Sequence, residues 1–386
     1  MKKVLLVMLL TAFAVSAAGC WNRKELDEIA IVMGIALDKA DQDDKVEMTV
    51  QVAEVGNIRS QKGAGGETSS KAYWNASLTG NTTFNIIRDF SHEVSRRLYI
   101  PHNQMIIISR ELTDKGIGQY LDFFFRDHES RLNVYLLIAE GKASDILETE
   151  TKLENVPAIY ISKLIENQGA TSEIIPVDLF DFLSMEVSGS TSPIAPIIQS
   201  LGVGEDQRLD LEGMAVFKKG KVVGQLDSSE SRGLSWILGK IKSGILVVKS
   251  MDETAEIEIT KSKSKVTPII KSSGKPAFHI EVDAEGKLGS TSGRKEPLDK
   301  KTTALLEDAV AKTILNEMTA SMYKAKSLGC DVFEFGSLLN RSHNQLWKEL
   351  KDQWDTLFPE SEITYSVKFT LRGIGSLSKP IYPKED

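Results

Sequence analysis

An apolar run from Val4 to Ala14, preceded by Lys2 and Lys3 and followed by small residues up to Ala17-Ala18-Gly19-Cys20, sets the terms on which the rest of this chain can fold. It has the layout of an export leader: a charged start, an apolar centre, and at Ala18-Gly19 the small side chains a signal peptidase needs. Thr11 and Ser16 dilute it, and it falls short of the about 20 apolar residues of a spanning helix. A polar stretch, Trp21-Asn22-Arg23-Lys24-Glu25, follows at once. The mature chain is therefore expected to fold outside the cytoplasm, and something other than a spanning helix must hold it.

Removing residues 1–19 leaves 386 − 19 = 367 residues, enough for two or three domains at roughly 100–200 residues each. The composition, 41% hydrophobic and 26% charged, excludes a disordered or multi-spanning chain. The net charge of −7 becomes −7 − 2 = −9 once Lys2 and Lys3 are lost, which argues against nucleic-acid binding. Cys20 and Cys330 are the two cysteines, so modification of Cys20 would leave no intramolecular disulfide and packing alone would stabilise the fold. Cys330 has no activating histidine or cysteine nearby in sequence and reads as a buried apolar residue.

Along the chain the hydrophobic period alternates between strand and helix. The apolar run Glu28 to Leu37 and the alternating Val46, Met48, Val50 and Val52 predict an antiparallel hairpin. Residues 56–70, centred on Gly63-Ala64-Gly65-Gly66, read as a loop without the spacing of a phosphate-binding turn. A strand follows at Lys71 to Leu78. From Thr82 the stripe Phe84, Ile87, Phe90, Val94 and Leu98 predicts a helix of about 17 residues with Asn81 or Thr82 as N-cap. Strands are then predicted at Gln104 to Ser109 and Asn133 to Ala139, and helices at Asp114 to Arg126, Ala143 to Leu147, Ala158 to Asn167 and Pro176 to Glu186. The glycines and prolines of Ser188 to Gln207 mark a linker at Gly202 to Asp206.

The second half opens with a predicted hairpin, Leu211 to Phe217 and Val222 to Leu226, followed by a helix through Leu234 and Ile241. Within a run of strands, Lys261, Lys263 and Lys265 share one face, since strand side chains repeat every two residues. Contact with anionic lipid headgroups is one reading of them; an ordinary solvated or edge-protecting face is the other, and it carries more weight. Asp299 to Lys326 is the longest helical pattern and stops at Gly329. The final strand alternates Ile363, Tyr365, Val367, Phe369 and Leu371. Together these predict an α+β protein of several domains, with mixed and antiparallel sheets flanked by helices and, in the C-terminal domain, a large antiparallel sheet carrying the long helix. The expected boundaries are a leader at 1–19, an N-terminal region at 20–200 and a C-terminal domain at 201–386.

Chemistry is sparse. His92, His102, His128, His279 and His343 are scattered, and none has a partner at metal-ligand spacing. No G-x-S-x-G elbow occurs. The polar cluster of Ser95-Arg96-Arg97 with His102 is suggestive, although capping of a helix end accounts for it more simply. No catalytic residue, metal ligand or cofactor is assigned.

Ala-Ala-Gly-Cys at the end of the leader resembles a bacterial lipobox, with Ala17 where such boxes usually carry Leu. The resemblance implies that the Cys20 thiol receives a diacylglycerol and becomes the first residue after cleavage. Two acyl chains give stable membrane attachment where one does not. Further segments fall in the order of one family: Gly19 to Leu26, Ile31-Val32-Met33-Gly34-Ile35-Ala36-Leu37-Asp38-Lys39, Ser95-Arg96-Arg97 through His102, Leu211-Glu212-Gly213-Met214-Ala215-Val216-Phe217, Gly224-Gln225-Leu226 with Glu230-Ser231, and Cys330-Asp331-Val332-Phe333-Glu334-Phe335-Gly336 with Trp347 and Trp354. Together they resemble the Ger(x)C lipoproteins, the C subunits of spore germinant receptors. The resemblance implies a non-enzymatic, acyl-anchored protein on the outer face of the inner spore membrane, partnered by integral membrane A and B subunits. It also implies a three-domain fold, hence a second, unplaced boundary within 20–200. A solute-binding lipoprotein that captures a small nutrient is the alternative.

Overall fold

A computed structural model of the chain describes residues 3–6, 8, 28–42, 44–54, 71–250, 253–291 and 300–373. The apolar run after Glu28 becomes β1 (Ile29–Lys39), and the alternating segment becomes β2 (Val46–Ala53). They pair antiparallel, Ile35 opposite Val50 and Leu37 opposite Met48, as their patterns predict. β3 (Tyr73–Gly80) adds to the outer edge of β2. Beyond β1 lie in order β5 (Met105–Ser109), β6 (Tyr135–Ala139), β7 (Ile194–Leu201), β8 (Arg208–Lys218) and β9 (Lys221–Leu226), while β4 (Arg97–Tyr99) pairs with the start of β1.

The pairings from β1 through β5 and β6 to β7 are parallel and the flanking ones antiparallel. Parallel strands are covered on both faces and read as continuous apolar runs, and Met105-Ile106-Ile107-Ile108 is wholly buried. One face packs on α1 (Thr83–Glu93), α2 (Gly118–Arg126) and α5 (Leu179–Ser188), the other on α3 (Ala143–Glu148) and α4 (Pro157–Glu166). α1 is shorter than its apolar stripe predicts. It starts at the Thr82 cap but stops at Glu93, because Arg97 to Tyr99 pair in parallel with Ile29 to Ile31, so Val94 and Leu98 pack on the core from extended chain. Residues Gly202 to Asp206 connect β7 to β8, which are neighbours in this sheet. The predicted Leu211 to Leu226 hairpin likewise belongs here and not with the later strands.

A second sheet runs β10 (Gly244–Ser250), β11 (Glu253–Ile270), β12 (Pro276–Thr291) and β13 (Glu362–Gly373). The first two pairings are antiparallel, and β13 joins β12 in parallel. The long helix α7 (Lys300–Leu328) covers its inner face with Leu306, Val310, Ile314, Met318 and Met322, against Ile257, Ile259, Ile280, Val282 and Phe369. The α+β plan with a large sheet and a long helix is thus the observed one. Lys261, Lys263 and Lys265 stand on the outer face, opposite Glu285, Asp283 and Glu281 of β12. A bulge between Ile259 and Lys261 makes this possible: it shifts the register by one residue, so that alternation continued from the inward Ile257 and Ile259 does not turn the lysines into the core. The lysines therefore form a solvated cross-strand ladder, the plainer of the two predicted readings.

Two buried polar nodes join the sheets. α6 (Ser228–Ile237) starts with a capping box, Asp227 with Glu230, and crosses α7 so closely that a Cβ on Gly233 would lie 2.1 Å from the Glu317 carbonyl. At this crossing the Glu317 carboxylate accepts from Trp236 Nε1 at 2.9 Å and from the Arg232 guanidinium, which also reaches Glu173 at 3.0 Å. At the second node the Asp331 carboxylate accepts from the backbone N–H of Phe333 (3.0 Å) and Gly336 (2.7 Å) and from Trp354 Nε1 (3.0 Å). It thereby fixes α8 (Phe335–Ser342) and α10 (Trp354–Glu360) around Phe278, Phe333 and Phe358, with the short α9 (Asn344–Leu350) between them. The Asp331 carbonyl accepts from Ser192 N at 2.7 Å, and a Cβ on Gly336 would meet the Ser190 carbonyl at 2.5 Å, so the motif docks on the lead-in to β7.

Removing one member of a buried ion pair leaves a charge without compensation, at a cost of about 3–5 kcal/mol, whereas an apolar pair of similar volume is often neutral. Chemical denaturation should therefore show Arg232→Ala to be more damaging than the double variant Arg232→Met, Glu317→Met. Burial raises the Asp331 carboxyl from 3.8 to about 6. The stability linked to it is accordingly fully present below its unfolded value and lost as pH rises through about 6. The stability difference between the unaltered protein and Asp331→Ala should shrink by on the order of 3 kcal/mol from about pH 4 to about pH 7; a difference that grows over this range would refute the assignment.

Candidate functional site

Cys20, the residue with a predicted role, lies outside the described residues, as does the Gly63 to Gly66 loop. The body begins at Glu28, whose carbonyl accepts from Arg97 N at 3.2 Å. The start of β1 is therefore locked to the Ser95-Arg96-Arg97 segment that the sequence singled out. Arg97 pairs with Glu129 at 2.8 Å, and the His102 ring packs edge-on to Tyr99 at 5.4 Å. His102 occupies a single 3-10 turn, Ile100–His102, and its carbonyl accepts from Gln104 Nε2 at 2.7 Å. The structure thus brings Arg96 and Arg97 to one place but gives His102 a turn-forming role beside it.

Next to these arginines, α1 and α2 splay to leave an open groove of about 450 Å³. Its lining includes the apolar Phe84, Ile87, Val94 and Phe123, with Arg88, Arg96, Arg97 and His128 also on it. Phe84 is 50% exposed, touches Phe123 at 5.7 Å, and carries the Arg88 guanidinium 5.3 Å from its ring centroid. Phe84 and Arg88 were not singled out in the sequence. Their i,i+4 spacing on the exposed side of a predicted helix was the available signal, hidden because Phe84 was counted with the buried stripe. Carboxylates share the groove: Asp127 accepts from Ser130 Oγ at 3.0 Å, and Glu129 holds Arg97.

Three other open clefts were candidates for a solute. One of about 320 Å³ lies between Ser190 to Pro193 and Trp354 to Phe358, beside Lys218, which pairs with Asp355 at 3.0 Å. One of about 350 Å³ lies between Gln168 to Pro176 and Gly239 to Lys242, and one of about 620 Å³ is bordered by Glu148, Glu150 and Lys152. Among the described residues no group of three or more His, Cys, Asp and Glu is placed to hold a metal ion. Cys330 is fully buried, and burial pushes its thiol above the ordinary range, away from the thiolate a nucleophile needs.

The remaining sequence motifs serve the fold. Asp38 is buried at the end of β1 and accepts from Ala143 N (2.7 Å) and Ser144 N (2.8 Å), satisfying the start of α3. Gly213 sits at φ +71, where a Cβ would lie 2.0 Å from the Leu226 carbonyl, so the β8 motif needs glycine to bring β9 close. Gln51, which no motif flagged, donates to the Leu147 carbonyl (2.7 Å) and accepts from Ala158 N (2.9 Å), tying β2 to α3 and α4.

Two family profiles match the chain: "Spore germination protein N-terminal domain" over residues 22–200 and "Spore germination B3/GerAC like, C-terminal" over residues 212–375. Spore germination protein YndF of Bacillus subtilis (strain 168) is 30% identical across 94% of this chain and 95% of its own. Spore germination protein KC of the same organism is 25% identical across 98% of each. The crystal structure of the GerBC protein superposes with a TM-score of 0.59 at 23% identity, covering 88% of this chain and 97% of that one, and shares its fold. The chain belongs to the Ger(x)C family, the C subunits of spore germinant receptors.

Proposed function

We propose that this chain is a lipid-anchored, non-catalytic subunit of a nutrient germinant receptor, held by Cys20 on the outer face of the inner spore membrane and acting there with integral membrane A and B subunits to trigger germination. The observation that supports this reading most directly is the extent of the family match, which begins two residues past Cys20 and runs to residue 375. An acyl anchor suits the chain physically: among the described residues no helix is long and apolar enough to cross a membrane, and two acyl chains make attachment stable. The non-catalytic role is favoured by the use of the buried polar groups. Asp38, Gln51, Arg232, Glu317 and Asp331 are all engaged in holding elements together. We further propose a two-part organisation, 20–200 and 201–386, in which β8 and β9 of the second part complete the sheet of the first.

Cys20→Ala is expected to release most of the protein from the spore membrane fraction and to slow or abolish the nutrient response; full retention with a normal response would sink the anchor. In calorimetry the unlipidated protein should give a flat titration with amino acids and other small nutrients. A saturable isotherm would move the reading to a solute-binding lipoprotein.

A further inference from the structure

Resting on the Cys20 anchor, we propose that the face of α1 carrying Phe84 and Arg88, with Arg96 beside it, lies against the membrane and engages anionic phospholipid headgroups. Geometry carries the first step. Glu28 lies eight Cα–Cα steps after Cys20, and a fully extended chain covers at most ~3.3–3.6 Å per residue, so Glu28 stays within about 29 Å of the acylated residue. A body of this length has a radius of gyration of about 21 Å. A compact body with that radius of gyration is about 54 Å across, so the tether spans at most about half its thickness, and the face nearest Glu28 is turned to the lipid. That face is specified by two contacts: the Glu28 carbonyl accepts from Arg97 N at 3.2 Å, and Ile29 to Ile31 pair with Arg97 to Tyr99.

Chemistry carries the second step. Arg88 and Arg96 are exposed, and among the described residues neither has an ion-pair partner, while Glu129 is taken up by Arg97. Guanidinium groups match phosphate oxygens with a planar fork of donors, and cations near an anionic membrane surface are drawn to it. Phe84, half exposed under Arg88 on the lip of the groove, offers an aromatic body for the headgroup boundary, and the floor of Ile87 and Phe123 continues it inward. The lysine ladder on β11 does not compete for this role. Its lysines face carboxylates of β12, and its sheet lies beyond α7.

The test uses the full lipidated protein in vesicles of phosphatidylglycerol and phosphatidylcholine that carry a paramagnetic headgroup lipid. A spin label is placed by Ser91→Cys in the groove or by Tyr323→Cys on α7. Tyr323 is 78% exposed, close to the Leu328 end of α7 that packs on Gly224 of β9. β9 stands five strand spacings from β1, roughly 24 Å across the sheet. The label at 91 should relax several-fold faster than the label at 323. Arg88→Glu with Arg96→Glu, both solvent-exposed substitutions, should lower the enhancement at 91 several-fold while leaving vesicle retention unchanged. Arg88→Gln with Arg96→Gln should lower it less. Equal relaxation at the two positions, or an enhancement at 91 that is insensitive to charge reversal and persists in pure phosphatidylcholine, overturns the headgroup contact while the anchor stands. Failure of the unsubstituted protein to stay with the vesicles overturns the anchor reading and this one with it.

Discussion

N–H groups from two elements converge on the Asp331 carboxylate, and no water is needed to satisfy them. That convergence decides how the C-terminal helices sit on the rest of the chain. Phe333 and Gly336 come from the entry to α8, and the Trp354 indole comes from the start of α10. One side chain therefore sets the angle between two helices too short to hold themselves. The ring stack of Phe278 on Phe335, centroids 4.3 Å apart, then brings β12 into the same cluster. Gly336 closes it against the Ser190 carbonyl, leading into the first sheet. The second joint, Arg232 with Glu317, works by the same logic, but the group it neutralises is a cation.

The segments that carry the family resemblance in this sequence are thus largely structural. Asp38 completes the start of a helix, Gly213 admits a neighbouring strand, and Asp331 gathers donors. Residues of this kind are buried and internally satisfied, so they say which fold a chain has and little about what it touches. A surface that meets a partner is written in exposed residues, which no rule of folding protects.

Much of the architecture was legible in local patterns, because local patterns govern local structure. The β1–β2 hairpin, the Thr82 cap, the β8–β9 turn through Lys219 and Gly220, and the alternation of β13 all announce themselves within a few residues. What stayed hidden depends on partners distant in sequence. The run of α1 was overestimated because Leu98 serves the same core from a strand as it would from a helix, and only the pairing of Arg97 to Tyr99 with β1 decides between them. The β8–β9 hairpin looked like the opening of the later sheet because nothing in its own residues says which sheet it joins. The bulge before Lys261 shows the limit most clearly: three lysines on one face are visible from spacing, but the face they take follows from a register slip, and their neutralisation by Glu281, Asp283 and Glu285 from a strand some twenty residues on. The groove by Arg96 is half legible in sequence: the arginines stand out by their clustering, while the helical stripe predicts Phe84 to face inward and the structure leaves it half exposed.

The parallel pairing of β13 with β12 has a consequence for how the chain is made. Phe278 pairs with Ile363 and Ala284 with Phe369, so an interior strand waits for a partner about 85 residues later, near the end of the described chain. Until that partner arrives, β12 presents an open edge and α7 has half its seat. Late, non-local pairing of this kind is slow to form. A sheet that cannot close before its last strand is synthesised keeps the C-terminal half from settling until the chain is nearly complete. The same arrangement makes that strand a keystone: a chain ending before Glu362 carries every described helix, yet exposes a long unpaired edge that invites aggregation or proteolysis.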